Sequence, residues 1–267
     1  MSLNGKVAVV TGSSRSIGAA IAKQLAADGA SVIVNYVSDA AAAEGVVSDI
    51  KASGSGAAAA VKADVSSLGG AKTLLDESLR IFGKIDILVL NAGIMGSRVL
   101  AQVDEEFYDQ HMNINVRGPL FLTQLAAPLL PEGSGRIIFF STSLAHASAV
   151  MPINLVYVAT KGAVEQLARV LAKDLGKLYF QPICYPTTHT VTGSKGITVN
   201  TVSPGPTDTA LFRAGKTEQQ IQFIAGLAPS KRLGQPDDVS PVVSFLASDG
   251  ARWVNGQNIL VNGGFVV

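Results

Sequence analysis

Short apolar runs rich in β-branched residues alternate along the chain with longer stretches where apolar residues return every third or fourth position. KVAVVT at 6–11 is the first run. In 17–28, Ile17, Ile21 and Leu25 then fall one helical turn apart, and Gly29 stands where that helix should stop. SVIVN at 31–35 opens the next pair, followed by an Ala-rich helical stretch at 40–53 closed by Gly54. The pattern predicts strands at 57–62, 86–90, 136–140, 197–202 and 258–262. It predicts helices at 71–82, 104–112, 116–130, 156–176 and 236–248. Strand and helix in alternation imply βαβ crossovers and a parallel sheet covered on both faces. The expected fold is α/β, a doubly wound parallel sheet of the Rossmann type, in a single domain over 1–267 without repeat or linker.

One segment breaks the rhythm. KLYFQPICYPTTHTVTG at 177–193 has no charge between Lys177 and Lys195, and it holds two of the eleven prolines and the only cysteine. We read it as an inserted loop. It is either a surface Ω-loop or arm to another subunit, or an addition foreign to the fold. It joins a helix end to a strand start, which puts it at the N-terminal edge of the sheet, away from the ligand-binding edge.

Composition narrows the function. Hydrophobic residues are 48% and charged residues 15%, against about 25% charged in average domains, which excludes a disordered chain. Lys and Arg total 21 against 20 Asp and Glu, so neither nucleic acid nor an anionic membrane is an expected partner. So little charge points to surface buried between subunits of a homo-oligomer, a tetramer or dimer. A single cysteine, Cys184, allows no internal disulfide and suits a reducing compartment. The opening MSLNGKVAVV lacks a basic stretch followed by a long apolar one, and the uncharged run between Arg136 and Lys161 is too polar to span a bilayer. A soluble, cytoplasmic protein is expected. His111, His146 and His189 have no metal-ligand spacing, so no metal is expected.

TGSSRSIG at 11–18 follows the first strand and opens the first helix, where a dinucleotide diphosphate rests on helix N-terminal amides. Gly12 permits the turn and Gly18 close packing, with Ser14, Arg15, Ser16 and Ile17 between them. Ser16 stands where the dinucleotide pattern usually has glycine. An NAD site places Asp or Glu at the end of the second strand. Here that position reads Asn35-Tyr36, and Arg15 stands ready to pair with a 2′-phosphate. These residues favour NADP(H) over NAD(H), unless Arg15 is simply a solvated surface charge. Asp64-Val65 and Asn91-Ala92-Gly93 follow the third and fourth strands, at the edge where ligands bind. Asp64 either holds an adenine amino group or caps a helix, and the small residues at 91–93 either let a ring approach or merely turn the chain.

Tyr157 and Lys161 lie four residues apart on one helix face, after a hydroxyl cluster, Ser141-Thr142-Ser143, that ends the preceding strand. An ammonium beside a phenol lowers its pKa. Alone, Tyr-x-x-x-Lys arises often by chance.

TGSSRSIG, NAG at 91–93, Asn115 in NINVRG, the hydroxyl cluster, YVATK at 157–161 and SPGPTDT at 203–209 together resemble the short-chain dehydrogenase/reductase family, over the whole chain except 177–193. The resemblance implies a nicotinamide cofactor and an Asn–Ser–Tyr–Lys tetrad. Tyr157 would be the proton donor or acceptor, Lys161 would lower its pKa and bind the nicotinamide ribose, and Asn115 would hold a relay water. Pro204, Gly205, Thr207 and Thr209 would border the nicotinamide. GKVAVVTG with VIVNY is similar to the family's fungal naphthol reductases, which use NADPH. The serine position is ambiguous. Counting back from Tyr157 favours Ser143, counting forward from Gly135 favours Thr142. Ser143 is taken, with Ser141 and Thr142 as competitors. The region 211–227, with Phe212, Ile221, Phe223 and Ile224, is a lid in this family or else a packed helix pair. Trp253 and the terminal GGFVV read as core or subunit interface. The implied activity is NADPH-dependent reduction of a small-molecule carbonyl. An NAD-dependent alcohol dehydrogenase is the alternative. A non-catalytic nucleotide sensor would have lost Tyr157 or Lys161.

Overall fold

The computed structural model describes residues 2–54, 56–176 and 195–267. The inserted loop read at 177–193, with Cys184 and His189, lies outside the described residues. The elements run β1 (Val7–Val10), α1 (Ser16–Ala27), β2 (Ser31–Tyr36), α2 (Ala40–Ala52), β3 (Ala58–Lys62), α3 (Leu68–Phe82), β4 (Ile87–Leu90), α4 (Glu105–Met112), α5 (Gly118–Ala126), β5 (Arg136–Phe140), α6 (Leu155–Asp174), β6 (Thr198–Pro204), α7 (Ala210–Arg213), α8 (Glu218–Leu227), α9 (Pro236–Ala247) and β7 (Asn258–Val261). The strands form one seven-stranded sheet in the order β3-β2-β1-β4-β5-β6-β7, every pair parallel. The winding direction reverses between β1 and β4, and a crevice opens beyond the C-terminal ends of those strands.

Strand alternation sorts the core into two layers. Ala8, Val10, Val32 and Val34 face Ile21 and Leu25 of α1, Val46 and Ile50 of α2, and Val243 and Leu246 of α9. Val9, Ile33, Leu88, Ile137 and Phe139 face the other way, onto Leu74 and Leu75 of α3, Leu122 and Ala126 of α5, and Val164 and Ala168 of α6. With both faces covered, the strands read as continuous apolar runs rather than alternating ones.

The largest departures from the expected elements come from glycine and proline. Helix α3 begins three residues earlier than 71, because Ser67 caps it by accepting the Gly70 N–H at 3.1 Å; Gly69 and Gly70 hid that turn. The expected break between helices at 112 and 116 is instead a π-helical turn, Asn113–Arg117, running from α4 into α5. Pro119 lies just beyond it. Having no N–H, Pro119 leaves the Asn115 carbonyl without its α-helical donor. The stretch at 211–227 is a helix pair, α7 and α8. Among the described residues no helix is long and apolar enough to cross a membrane.

The residues on either side of 177–194 are hydrogen-bonded to each other. The Leu175 carbonyl accepts the N–H groups of Lys195 and Ile197, both at 3.2 Å. With 177–193 excised, Leu175-Gly176-Ser194-Lys195 would be a four-residue turn already holding its i→i+3 bond. A variant lacking 177–193 is therefore expected to melt within a few degrees of the full chain and to keep turnover within about threefold. A hundredfold loss of turnover in the folded variant would refute this.

Candidate active site

The turn after β1 is fastened by two asparagines. Asn35, fully buried at the end of β2, accepts the Gly12 N–H at 3.1 Å through Oδ1, and its amide donates to the carbonyls of Val61 and Ala63. Its backbone N–H donates to Ser13 Oγ at 3.0 Å, and the Ser13 N–H donates back to the Asn35 carbonyl at 2.9 Å. Asn91 donates to the carbonyls of Thr11 and Gly12 at 3.0 and 3.1 Å. Both side chains were expected at the ligand. Asn35 holds the loop through Oδ1 and ties it to β3 through its amide N–H groups, and Asn91 holds the loop through its amide N–H groups. Ser13 and Thr11 complete the fastening, Thr11 Oγ1 accepting the Ala92 N–H at 3.0 Å.

Within the loop Gly12 has φ 61° and Ser16 φ 54°. Ser16 thus occupies a left-handed conformation that costs a non-glycine residue about 1–2 kcal/mol, which explains why glycine is usual there. A Cβ on Gly18 would stand 2.4 Å from the Gly12 carbonyl oxygen and 2.6 Å from Asn91 Nδ2, so no side chain fits. No side chain caps α1 and its first turn holds no acid. Its N-terminal amides keep their partial positive charge for an anion, and a dinucleotide diphosphate fits this cradle. Arg15 is exposed at the N-cap, Ser14 and Ile17 are half-buried, and Tyr36 packs beside the α1–α2 layer with no carboxylate at its position. Asp64 closes a turn on Ser66, accepting its N–H at 3.0 Å and its hydroxyl at 2.7 Å, while Val65 is buried.

Gly93 opens the floor of the crevice. A Cβ there would lie 3.5 Å from Lys161 Nζ and 3.2 Å from Asn115 Oδ1. The Lys161 ammonium donates to the Phe140 carbonyl at 2.7 Å and lies 5.8 Å from the centre of the Tyr157 ring. Asn115, on the π-turn, accepts the Ile94 N–H and donates to the Ile94 carbonyl, both at 2.9 Å, and donates to Thr160 Oγ1 at 3.1 Å. Thr160, not anticipated, donates in turn to the Tyr157 carbonyl at 2.7 Å. This chain of bonds ties the loop after β4 to the first turn of α6.

Of the three hydroxyls, that of Thr142 bears on Tyr157, easing the phenol toward ionisation against the effect of burial. Ser143 is buried one residue on, at the start of a 3₁₀ turn, Ser143–Ala145. Ser141 continues the β5 face that carries Ile137 and Phe139, so it points under α6 and bonds Glu165 at 2.6 Å. Extending that alternation past Phe140 would have excluded Ser141 from the site.

Electrostatics also differ from the expectation that Lys161 acidifies Tyr157. Burial pushes the phenol up to about 12, the Thr142 hydrogen bond pulling the other way, and burial pushes Lys161 down to about 8. Desolvation outweighs the ammonium because Nζ is aimed at the Phe140 carbonyl rather than at the phenol oxygen. The chain thus holds a neutral phenol, a proton donor. At the other wall, Thr207 donates to the Gly205 carbonyl at 2.9 Å, and Thr209 caps α7 by accepting the Phe212 N–H at 3.1 Å. Gly205 is needed for packing, since a Cβ there would meet Asn262 Cα at 2.8 Å; Pro204 ends β6.

The model of the short chain dehydrogenase family matches residues 6–220, and that of the enoyl-(acyl carrier protein) reductase family matches residues 189–266. The chain belongs to the short-chain dehydrogenase/reductase family and is an oxidoreductase of that class. It is similar to versicolorin reductase 1 of Aspergillus parasiticus, 42% identical over 98% of this chain and 97% of that protein. It is also 41% identical to the short chain dehydrogenase/reductase AacuN of Aspergillus aculeatus, over 98% of this chain and 96% of that one. Among solved structures, the short chain dehydrogenase from Burkholderia cenocepacia J2315 in complex with NADP superposes with a TM-score of 0.86 at 36% identity, covering 99% of both chains. The angucycline C-6 ketoreductase LanV with bound NADP gives 0.85 at 35% identity, covering 98% of this chain and 96% of that one.

Proposed function

We propose that this protein is an NADPH-dependent ketoreductase for an uncharged carbonyl substrate. The observation that carries the reading is the pairing of Tyr157 with Lys161, whose ammonium stands beside Gly93 and Asn115, at the edge of the sheet where the glycine-bearing cradle also opens. The diphosphate would rest on Gly12, Ser14, Arg15, Ser16, Ile17 and Gly18. Tyr36, Asp64 and Val65 would flank the adenine end, and Ala92, Gly93, Pro204, Gly205, Thr207 and Thr209 the nicotinamide end. Bound there, the reduced nicotinamide supplies a hydride to the substrate carbonyl carbon.

The remaining steps fall to the chain. Tyr157, neutral at physiological pH, gives its proton to the carbonyl oxygen. Thr142 donates a hydrogen bond to the same oxygen as charge develops on it. Lys161 holds the ribose hydroxyls and the local positive field. The Asn115 carbonyl, lacking an α-helical donor, is available to a water that returns a proton toward Lys161. The similarity to the C-6 ketoreductase LanV with bound NADP supports reduction as the physiological direction. We also infer a homo-oligomer, since Trp253 is 96% exposed and Phe245 lies exposed on α9 beside β7, an edge strand. The test is NADPH oxidation across a panel of cyclic and aromatic ketones, with the Tyr157→Phe variant as the blank.

Two substitutions refine the assignment. Thr142→Val is expected to lower turnover roughly 10²-fold, whereas Ser143→Ala should stay within about threefold; steady-state kinetics on both would expose the reverse assignment. Arg15→Ala should weaken NADPH more than NADH by about 1.5–3 kcal/mol, the worth of a charged hydrogen bond. Equal weakening in a fluorescence titration would mean that Arg15 does not read the 2′-phosphate.

A further inference from the structure

A second polar cluster lies behind the site and takes no part in the chemistry above. Glu165 stands on α6 one turn beyond Lys161, its side chain only 11% exposed. Its Oε1 accepts the Ser141 hydroxyl at 2.6 Å and the Ser203 hydroxyl at 3.4 Å. The Nε2 of His146 lies 3.1 and 2.9 Å from its two oxygens, and Asn258 Nδ2 lies 2.8 Å from that same nitrogen. Ser203 also donates to Asn258 Oδ1 at 2.7 Å. One carboxylate thus gathers the end of β5, the turn after it, β6 and the edge strand β7 onto the helix that bears Tyr157 and Lys161.

A buried carboxylate is costly unless hydrogen-bonded, and an apolar side chain would fill the space without that cost. What the carboxylate adds is direction. Ser141 directly precedes Thr142, and the Ser141–Glu165 bond joins the strand end carrying Thr142 to the helix carrying Tyr157. A charge-assisted hydrogen bond this short defines the separation of those two elements more tightly than apolar packing does. We propose that Glu165 is a positioning residue for proton transfer, acting through Ser141 to fix the strand end that carries Thr142 and Ser143 against the helix that carries Tyr157. The proposal rests on the ketoreductase reading for its kinetic arm only.

The experiment compares Glu165→Ala, Ser141→Ala, the double variant and Glu165→Gln in the full chain. Glu165→Ala and Ser141→Ala are each expected to lower kcat at least tenfold, with KM for ketone and NADPH within threefold. The double variant should be no worse than the poorer single one, because both remove the same link. Glu165→Gln, which can still accept from Ser141, should recover kcat to within threefold of wild type. Should Glu165→Ala not fold, Ser141→Ala, a smaller change, carries the test. Crystal structures of wild type and Ser141→Ala form the second arm and need no substrate: the end of β5 should stand further from α6 in the second than in the first. Folded variants with kcat within threefold of wild type, losses confined to KM, or an unchanged separation of the β5 end from α6 in Ser141→Ala would overturn the proposal. A wild type inactive on every ketone would count against the ketoreductase reading alone, and the structural arm would still decide the role of Glu165.

Discussion

Replacing Tyr157 by Phe should lower turnover by roughly 10²–10⁴-fold, the usual worth of a general acid, while NADPH affinity stays within about threefold. Burial suppresses the acidity of the phenol, so the side chain exists as a donor across the physiological range. Phe fills the same space and removes only the hydroxyl. The Asn115–Thr160 link to the first turn of α6 uses the Tyr157 backbone carbonyl, which the substitution keeps. The fold should therefore be undisturbed. Stopped-flow measurement of NADPH oxidation would reveal whether a residual rate exceeds about a tenth of wild type, which would assign the acid elsewhere.

Lys161→Met should abolish turnover and make the protein more stable at pH 7. Burial holds the ammonium at about 8, below its ordinary 10.5. Between those values the unfolded chain binds more protons than the folded one, so wild-type stability rises with pH through that window. Below pH 8 both states are protonated and the folded state bears the full penalty, about 3 kcal/mol at 1.36 kcal/mol per unit. Met removes the charge but strands the Phe140 carbonyl, which costs about 1–3 kcal/mol. The expected net gain is about 0–2 kcal/mol at pH 7, shrinking toward pH 10 as the wild type sheds its own penalty. Wild-type turnover should fall over that same rise in pH, as the ammonium is lost. Thermal melts of both proteins at pH 7 and pH 10 decide the matter; a variant less stable than wild type at pH 7 would mean that the buried charge is not a liability.

The alternation of apolar runs and helical stripes was enough to locate every strand along the chain, because parallel strands covered on both faces must be continuously apolar and their crossovers amphipathic. Gly29, Gly54 and Gly83 marked helix ends for a local reason: each has positive φ, which few other residues tolerate. Gly12 and Gly18 located the cradle, and the spacing of Tyr157 and Lys161 put both on one helix face. These are properties of near neighbours in the chain. The rest depended on distant parts meeting. The fastening of the loop by Asn35 and Asn91 emerged only when β2 and β4 flanked β1. The hydroxyl cluster at 141–143 and Tyr157 came together only because the end of β5 packs against α6, a link made by Ser141 and Glu165. The proton affinity of Tyr157 rose because burial, a property of the whole packed structure, outweighs a charge four residues away.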